Sequence, residues 1–326
     1  CIRDSPDLDL AGAGLAVGEI LDAQVLGRVN HDCLHGANSV VAPRQGCSRW
    51  QFPGGVPMVN GGRIAQGTAR MDTDRLFRLD GQTALITGSS RGIGFALARG
   101  LAGAGASIVL NGRGLDCLGE AAAELREEGA KVEELAFDVT DHAAAREAVD
   151  RYESEIGPID VLVNNAGMQH RAPLEDFPAE AFERLMNTNL ASVFHVGQAV
   201  ARHMIGRGRG KIVNICSVQS ALARPGIAPY TASKGAVANL TKGMATDWAR
   251  HGLQVNGLAP GYFKTELNAA LVADAAFSDW LARRTPAGRW GDVEELVAAC
   301  LFLAGPGSSF VNGHILYVDG GITASL

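Results

Sequence analysis

The sequence places a tyrosine and a lysine four residues apart, Tyr230 and Lys234, within residues 229–236. On a helix this spacing puts both side chains on one face, one turn apart. A free tyrosine has a pKa of about 10, and a neighbouring ammonium group favours the phenolate. The pair could therefore act as a general acid and base toward an alcohol or a ketone. An isolated pair of this kind is more often two surface residues, so the interpretation depends on the rest of the chain.

A glycine-rich turn supplies a second part of a possible site. The apolar, β-prone run at residues 83–87 leads into the pattern G-x-x-x-G-x-G and then into a helical pattern. Glycines let the backbone approach a pyrophosphate, and the N–H groups at a helix N-terminus can bind the anion. Strand, turn and helix in this order predict a dinucleotide site rather than a purely structural turn. The residues of the turn that we assign to this site are Gly88, Ser90, Arg91, Gly92, Ile93 and Gly94.

The second predicted strand, residues 106–111, ends without the acidic residue that commonly binds the ribose 2′-hydroxyl of NAD. Arg113 follows it, and Arg91 lies in the glycine turn. Two guanidinium groups beside the adenosine ribose suit a 2′-phosphate. The sequence therefore predicts NADP rather than NAD as the cofactor, although either arginine could instead be a solvated surface residue.

Predicted strands alternate with predicted helices along the chain. The strands are expected at residues 83–87, 106–111, 132–137, 161–163, 211–216, 253–259 and 310–321, and Thr140 is a plausible N-cap for the third helix. Such alternation predicts an α/β fold, a Rossmann-type doubly wound parallel sheet with helices on both faces. We expect residues 71–326 to form this single domain.

Further motifs complete a known pattern. The third is Asn164-Asn165-Ala166-Gly167, and the fourth is Ser217, thirteen residues before Tyr230. Together with the glycine turn and the Tyr-x-x-x-Lys pair, they make the chain resemble the short-chain dehydrogenase/reductase family. The resemblance implies a hydride exchanged with the nicotinamide cofactor while the tyrosine moves the proton.

The resemblance also implies roles for individual residues. Asn189 would kink a helix and hold a water that passes protons to Lys234. Ser217 would orient the substrate oxygen, and Ser220 is a weaker rival for this role. The implied cofactor contacts outside the glycine turn and Arg113 are Asp138, Val139, Asn165, Ala166, Gly167, Tyr230, Lys234, Pro260, Gly261 and Thr265. Residues 266–289 would form a mobile substrate lid, and the last strand would lie at a subunit contact of a homotetramer.

Several longer stretches resemble members of that family that act on keto-sugar acids. Candidate substrate residues are Arg171, Gln219 and Ser217, because an acid substrate requires a cation and hydroxyl groups require polar partners. Two positions depart from those relatives, which often have a basic residue at His170 and an acid at Ala221, so the polyol specificity could differ. Another short-chain carbonyl or 3-ketoacyl reductase is the alternative, and a non-catalytic NADP-binding protein is a more remote one.

Composition limits the function classes. Of the 326 residues, 47% are hydrophobic and 20% are charged, with a formal net charge of −6. This charge argues against a nucleic-acid partner, and no apolar run reaches the roughly 20 residues of a membrane-spanning helix. The six cysteines form no C-x-x-C pair, which favours reduced thiols in the cytoplasm. No metal-ligand spacing is evident, and we expect no catalytic metal.

Residues 1–70 differ from the rest of the chain. They contain no lysine, many glycines and no sustained period of a helix or a strand. Met71 precedes a natural run-in to the first predicted strand. We expect Met71 to be the biological start and residues 1–70 to be a poorly structured, dispensable extension. A regulatory or targeting arm is the alternative.

Overall fold

The structure is a computed structural model that describes residues 72–326. The expectations about Met71 and residues 1–70 lie outside the described residues. The described strands are β1 (Thr83–Ile86), β2 (Ser107–Gly112), β3 (Val132–Ala136), β4 (Val161–Asn164), β5 (Gly210–Ile215), β6 (Leu253–Pro260) and β7 (Ile315–Val318). They form one parallel sheet in the order β3-β2-β1-β4-β5-β6-β7, which confirms the predicted fold class.

Helices connect successive strands of this sheet. They are α1 (Gly92–Gly103), α2 (Leu115–Glu127), α3 (His142–Glu155), α4 (Ala179–Met186), α5 (Ser192–Arg207), α6 (Ala228–Trp248), α7 (Ala269–Ala273), α8 (Ala275–Arg284) and α9 (Val297–Ala304). Short 3-10 turns precede or follow several of them. None of the helices between residues 72 and 326 combines the length and the apolar character needed to cross a membrane.

The central strands β1 and β4 are almost wholly buried because both faces of the sheet are covered there, whereas the edge strand β3 has exposed residues. In β1, Ala84 and Ile86 pack into one core with α1, α2 and α9. Leu85, between them, points to the opposite face and packs with α3, α5 and the C-terminal half of α6. All three side chains are fully buried. This double burial fixes the register of the sheet, since slipping a strand by one residue would exchange its two faces.

The order of the strands reverses between β1 and β4, and this reversal positions the site. The chain runs from β1 outward to β3 and then returns to β4 on the other side of β1. Sheets of this kind bind ligands in the crevice at the carboxyl ends of their strands, beside such a reversal. Every motif identified from the sequence follows the carboxyl end of a strand or lies on a helix beside it.

Two local expectations were wrong. Asp141, not Thr140, caps α3, because its carboxylate accepts the N–H groups of Ala143 and Ala144 at 3.0 Å. The last strand is confined to Ile315–Val318, since Gly313 and Gly320 adopt positive φ angles on either side of it. The segment expected to form a substrate lid, residues 266–289, contains α7 and α8, and its role as a lid stays a prediction.

Candidate active site

Tyr230 and Lys234 lie one turn apart near the start of α6, as their spacing predicts. The Lys234 Nζ atom is 5.9 Å from the centre of the Tyr230 ring and donates a hydrogen bond of 2.7 Å to the carbonyl oxygen of Ile215. Lys234 is only 5% exposed. Burial lowers the pKa of Lys234 to about 8. The Lys234 ammonium group is therefore largely removed from water, and it is hydrogen-bonded to the last residue of β5.

The Tyr230 phenol does not become acidic from this neighbour alone. Burial raises the pKa of Tyr230, and a hydrogen bond with the Ser217 side chain only partly opposes the rise. A phenolate at this position therefore depends on further positive charge nearby, such as Lys234 together with a cationic nicotinamide ring.

Ser217 follows β5 and begins the 3-10 turn Val218–Ser220. Its Oγ accepts the backbone N–H of Gln219 at 3.1 Å. With an oxygen lone pair occupied in this way, the hydroxyl hydrogen remains available toward Tyr230 or a ligand. Ser220, the rival candidate, instead donates to the carbonyl oxygen of Lys234 at 2.8 Å and supports the backbone of α6.

Asn189 lies in a π-helical turn, Asn187–Ala191, between α4 and α5. The side chain is fully buried. Its Oδ1 accepts the N–H of Met168 at 2.8 Å, and its Nδ2 donates to the carbonyl oxygen of Met168 at 2.9 Å and to Ser233 Oγ at 3.2 Å. Asn189 Oδ1 and Lys234 Nζ both lie within 4 Å of the point that a Cβ atom on Gly167 would occupy. A π-helical turn thus lies where the kink was predicted, and Asn189 lies beside the lysine.

The glycine turn after β1 contacts the turn after β4. Gly88 has φ +61°, and a Cβ atom there would lie 3.0 Å from the Cα of Ala166. The Asn165 side chain donates to the carbonyl oxygens of Thr87 and Gly88, both at 2.9 Å. A Cβ atom on Gly94 would lie 2.5 Å from the Gly88 carbonyl oxygen. The turn therefore has no room for side chains on its inner surface, and α1 begins directly behind it at Gly92.

The carboxyl ends of β2 and β3 carry the residues predicted to surround an adenosine. Arg91 lies 3.5 Å from Glu266, and Arg113 lies 3.9 Å from Asp138. The two guanidinium side chains are 79% and 80% exposed, so both are free to turn toward a ligand. Val139, the remaining predicted residue of this group, is buried beside Asp138 and belongs to the core.

Asn111 has a role that the sequence did not reveal. In the sequence this position stood out only by lacking an acid. In the structure Asn111 is 1% exposed and its side chain forms hydrogen bonds with β3, with the residue after β3 and with the glycine turn. Its Nδ2 donates to the carbonyl oxygens of Leu135 and Phe137 at 2.9 and 3.2 Å, and its Oδ1 accepts the Gly88 N–H at 3.4 Å. Asn111 thus joins the ends of β2 and β3 to the glycine turn.

The turn after β6 supplies the other side of the crevice. A Cβ atom on Gly261 would lie 2.7 Å from the Cα of Asp319, so only glycine fits after Pro260. The Thr265 hydroxyl is buried and has no hydrogen-bond partner within residues 72–326. Buried hydroxyl groups are almost always paired. An unpaired hydroxyl and a side-chain-free glycine turn at the same sheet edge fit a bound dinucleotide.

The predicted substrate residues lie in different surroundings. Arg171 is exposed and donates to Gln169 Oε1 at 2.8 Å. Gln219 is 6% exposed, and its Oε1 accepts the Thr231 hydroxyl at 3.4 Å. His170 packs edge-on against Phe177, with ring centroids 5.1 Å apart. Gln219 thus faces the interior, whereas Arg171 remains at the surface.

Tyr262 and Arg224 were missed by the sequence analysis. Burial raises the pKa of Tyr262, while the nearby charges of Arg224 and Arg171 oppose the rise. Tyr262 packs against the apolar cluster that contains Val218, the residue after Ser217. The only sequence signal for Tyr262 was its position directly after Pro260 and Gly261. Arg224 carried no signal except its location six residues before Tyr230.

Comparison with known families decides the interpretation of this arrangement. A sequence model described as short chain dehydrogenase matches residues 82–276, more than half of the chain. The chain belongs to the short-chain dehydrogenase family. The matched region includes the glycine turn, the Asn-Asn-Ala-Gly turn, Ser217 and the Tyr230–Lys234 pair.

Relatives within the short-chain dehydrogenase family are similar over nearly their full length. Gluconate 5-dehydrogenase of Gluconobacter oxydans (strain 621H) is 65% identical over 251 residues, 77% of this chain and 98% of that protein. The 5-keto-D-gluconate 5-reductase of Escherichia coli (strain K12) is 51% identical over 251 residues, 77% of this chain and 99% of that protein. A crystal structure of a gluconate 5-dehydrogenase from Burkholderia cenocepacia J2315, in complex with NADP and tartrate, is 61% identical. It superposes with a TM-score of 0.77 over 78% of this chain and 100% of that chain.

Proposed function

We propose that this chain is an NADP-dependent oxidoreductase that interconverts D-gluconate and 5-keto-D-gluconate. The observation that carries the proposal is the meeting of Ser217, Tyr230 and Lys234 at the carboxyl edge of the sheet, beside the glycine turn. The 65% and 51% identical relatives, whose names state this substrate pair, support the choice of substrate. The NADP in the Burkholderia cenocepacia structure supports the choice of cofactor.

The cofactor would lie along the carboxyl edge of the sheet. The turn from Gly88 to Gly94, the turn from Asn165 to Gly167 and the Pro260-Gly261 turn would approach its backbone, and the unpaired Thr265 hydroxyl would gain a partner. Arg91 and Arg113 would bind the 2′-phosphate, exchanging contacts with Glu266 and Asp138. When bound, NADPH supplies the hydride that reduces the carbonyl carbon.

Proton transfer would be the task of the chain's own side chains. In reduction, the Tyr230 hydroxyl donates its proton to the carbonyl oxygen as the alkoxide develops. The Ser217 hydroxyl donates a hydrogen bond to the same oxygen, since its acceptor side is occupied by the Gln219 N–H. Lys234 stabilises the resulting phenolate, and Asn189 holds the path by which protons return from solvent.

Desolvation of Tyr230 suits this direction of the reaction. Because burial raises the pKa of Tyr230, the phenol stays protonated and ready to donate at neutral pH. In the oxidative direction the same residue must first lose its proton. Reduction should accordingly proceed at neutral pH, while oxidation of gluconate should accelerate as the pH rises.

The test is an assay of NADPH oxidation with 5-keto-D-gluconate, 2-keto-D-gluconate, fructose and an acetoacetyl thioester. We expect turnover with 5-keto-D-gluconate to exceed turnover with each of the others, and NADPH to be preferred over NADH. A preference for the thioester would instead identify a 3-ketoacyl reductase. Binding of NADPH without oxidation by any ketone would identify a non-catalytic protein.

We also propose a homotetramer in the cytoplasm. Support for association comes from exposed apolar side chains, among them Phe194 and Phe310, and from β7, whose four residues are all partly exposed. The free cysteines Cys117, Cys216 and Cys300 support a reducing compartment. Light scattering of the purified protein tests the first proposal, and cell fractionation tests the second.

A further inference from the structure

Two guanidinium groups approach Tyr262 without an acid to balance them. Arg224 and Arg171 both act electrostatically on the Tyr262 hydroxyl, and Arg224 lies close enough to Arg171 to lower the pKa of Arg171, after the larger effect of burial. Neither forms an ion pair with a carboxylate in the described part of the chain. Like charges brought together in partly buried surroundings repel each other, unless an anion lies between them.

The Arg224 guanidinium group packs against an aromatic ring and has an unpaired donor atom. Its guanidinium carbon lies 5.5 Å from the centre of the Phe277 ring on α8. Its Nε atom is buried and has no hydrogen-bond partner among residues 72–326. A buried, charged donor without an acceptor is costly, so a site that keeps one usually has a use for it. Around it, Tyr262, Phe277 and Trp290 form a group of aromatic rings with centroids 5.8–6.0 Å apart.

We propose that Arg224, assisted by Arg171, binds the carboxylate of the substrate and makes the site prefer a keto-sugar acid to the uncharged ketose. This inference rests on the function proposed above, and it assigns a residue that determines specificity. A planar guanidinium group can bind both carboxylate oxygens, which an ammonium group cannot do in the same geometry.

The position of Tyr262 connects this anion site to the reacting oxygen. Tyr262 packs against the cluster that contains Val218, the residue after Ser217, and its ring lies 5.8 Å from Phe277, over which the Arg224 guanidinium group lies. In a 5-keto-aldonic acid the ketone carbon and the carboxylate carbon are four bonds apart, roughly 5 Å in an extended chain. A ligand with its ketone at Tyr230 and its carboxylate at Arg224 would therefore pass along the Tyr262 ring, within reach of Gln219.

The test compares two substrates that differ only in charge, 5-keto-D-gluconate and its amide, in the wild type and in Arg224→Gln. We expect the substitution to lower kcat/KM for the acid by about 10- to 100-fold, mainly through KM, as loss of a charge-assisted hydrogen bond does. For the amide, kcat/KM should change by less than about 3-fold. The preference for the acid over the amide should therefore largely disappear.

A purely structural role for Arg224 gives a different result. If the guanidinium group only packs against Phe277 and supports α8, Arg224→Gln will weaken the acid and the amide equally, and the proposal is overturned. Arg283→Gln is the matched control, since Arg283 is an exposed arginine on α8, the helix that contains Phe277. It should leave both substrates unaffected.

Arg224→Lys keeps the proposal falsifiable if the glutamine variant does not fold. This variant retains the charge and should keep a reduced preference for the acid, about 10-fold weaker than that of the wild type. A lysine variant whose preference equals that of the wild type would overturn the role of the guanidinium geometry. If the wild type itself does not reduce 5-keto-D-gluconate, the proposed function fails. If it does and Arg224→Gln keeps the preference, this inference alone fails.

Discussion

Replacing Lys234 by methionine should make the protein more stable and less active. Lys234 is 5% exposed. Within residues 72–326, its ammonium group donates a hydrogen bond to the Ile215 carbonyl oxygen. Methionine has a similar length and no charge. The variant therefore removes a charge that the fold keeps at a cost, and it also removes the proposed stabiliser of the Tyr230 phenolate.

The magnitude follows from the pKa of Lys234, which falls from 10.5 to about 8. One pKa unit corresponds to about 1.4 kcal/mol, so keeping the charge at pH 7 reduces the free energy of unfolding by about 3 kcal/mol. Loss of the hydrogen bond leaves the Ile215 carbonyl oxygen without that partner, which costs about 1–3 kcal/mol. We expect a net stabilisation of about 1 kcal/mol.

The dependence on pH has a definite sign. Between pH 8 and 10.5 the unfolded lysine binds more protons than the folded one, so wild-type stability rises with pH through this window. Methionine removes this contribution. The advantage of Lys234→Met should therefore be greatest below pH 8, and by about pH 10.5 the variant should be the less stable protein by about 1–3 kcal/mol, the cost of the lost hydrogen bond.

The assay is urea unfolding of both proteins at several pH values, together with NADPH oxidation. The rate should fall by about 10²-fold or more, the lower end of what a general acid and base contributes. Lys211→Met is the matched control, because burial also lowers the pKa of Lys211 to about 8 while its Nζ donates to Ser308 Oγ at 3.0 Å. It should stabilise the protein and leave the rate unchanged. A Lys234→Met variant that is several kcal/mol less stable than the wild type at pH 7 would refute the reasoning.

Three further predictions concern the cofactor site and the chain's first residues. Arg113→Ala should raise the KM for NADPH by about 10-fold or more and leave the KM for NADH unchanged, in steady-state assays; equal effects would contradict a 2′-phosphate contact. Gly94→Ala should weaken NADPH binding in calorimetry, because its Cβ would lie 2.5 Å from the Gly88 carbonyl oxygen, whereas Gly103→Ala on the same helix meets nothing within 4 Å and should bind normally. Removing residues 1–70 should leave the specific activity intact, and a folded but inactive product would show that these residues are required.

The central strands could be predicted from the sequence because they are buried on both sides. Residues 161–163 are apolar throughout, for example, and are bounded by Asp160 and Asn164. Boundaries were less predictable. Thr140 and Asp141 are adjacent and both residue types are good caps. In the structure the Asp141 carboxylate accepts the N–H groups of Ala143 and Ala144, while the Thr140 hydroxyl donates to Asp138 at 2.7 Å.

The site was predictable where its residues share one element or one loop. Tyr230 and Lys234 meet because of helical periodicity, and the glycine turn is continuous in sequence. Arg224 could not be identified in this way, because its proximity to Tyr262 depends on how the loop before α6 and the turn after β6 pack together. The raised pKa of Tyr230 was likewise unpredictable, because desolvation is a property of the folded surroundings.

The central claim is that the Tyr230 hydroxyl transfers the proton while Ser217 and Lys234 assist it. The most direct measurement is NADPH oxidation by Tyr230→Phe, with the melting temperature and NADPH affinity measured on the same sample. The variant should bind NADPH and remain folded, and its kcat for 5-keto-D-gluconate should fall by about 10²- to 10⁴-fold. A folded variant that retains more than about a tenth of the wild-type rate would contradict the assignment of the proton to Tyr230.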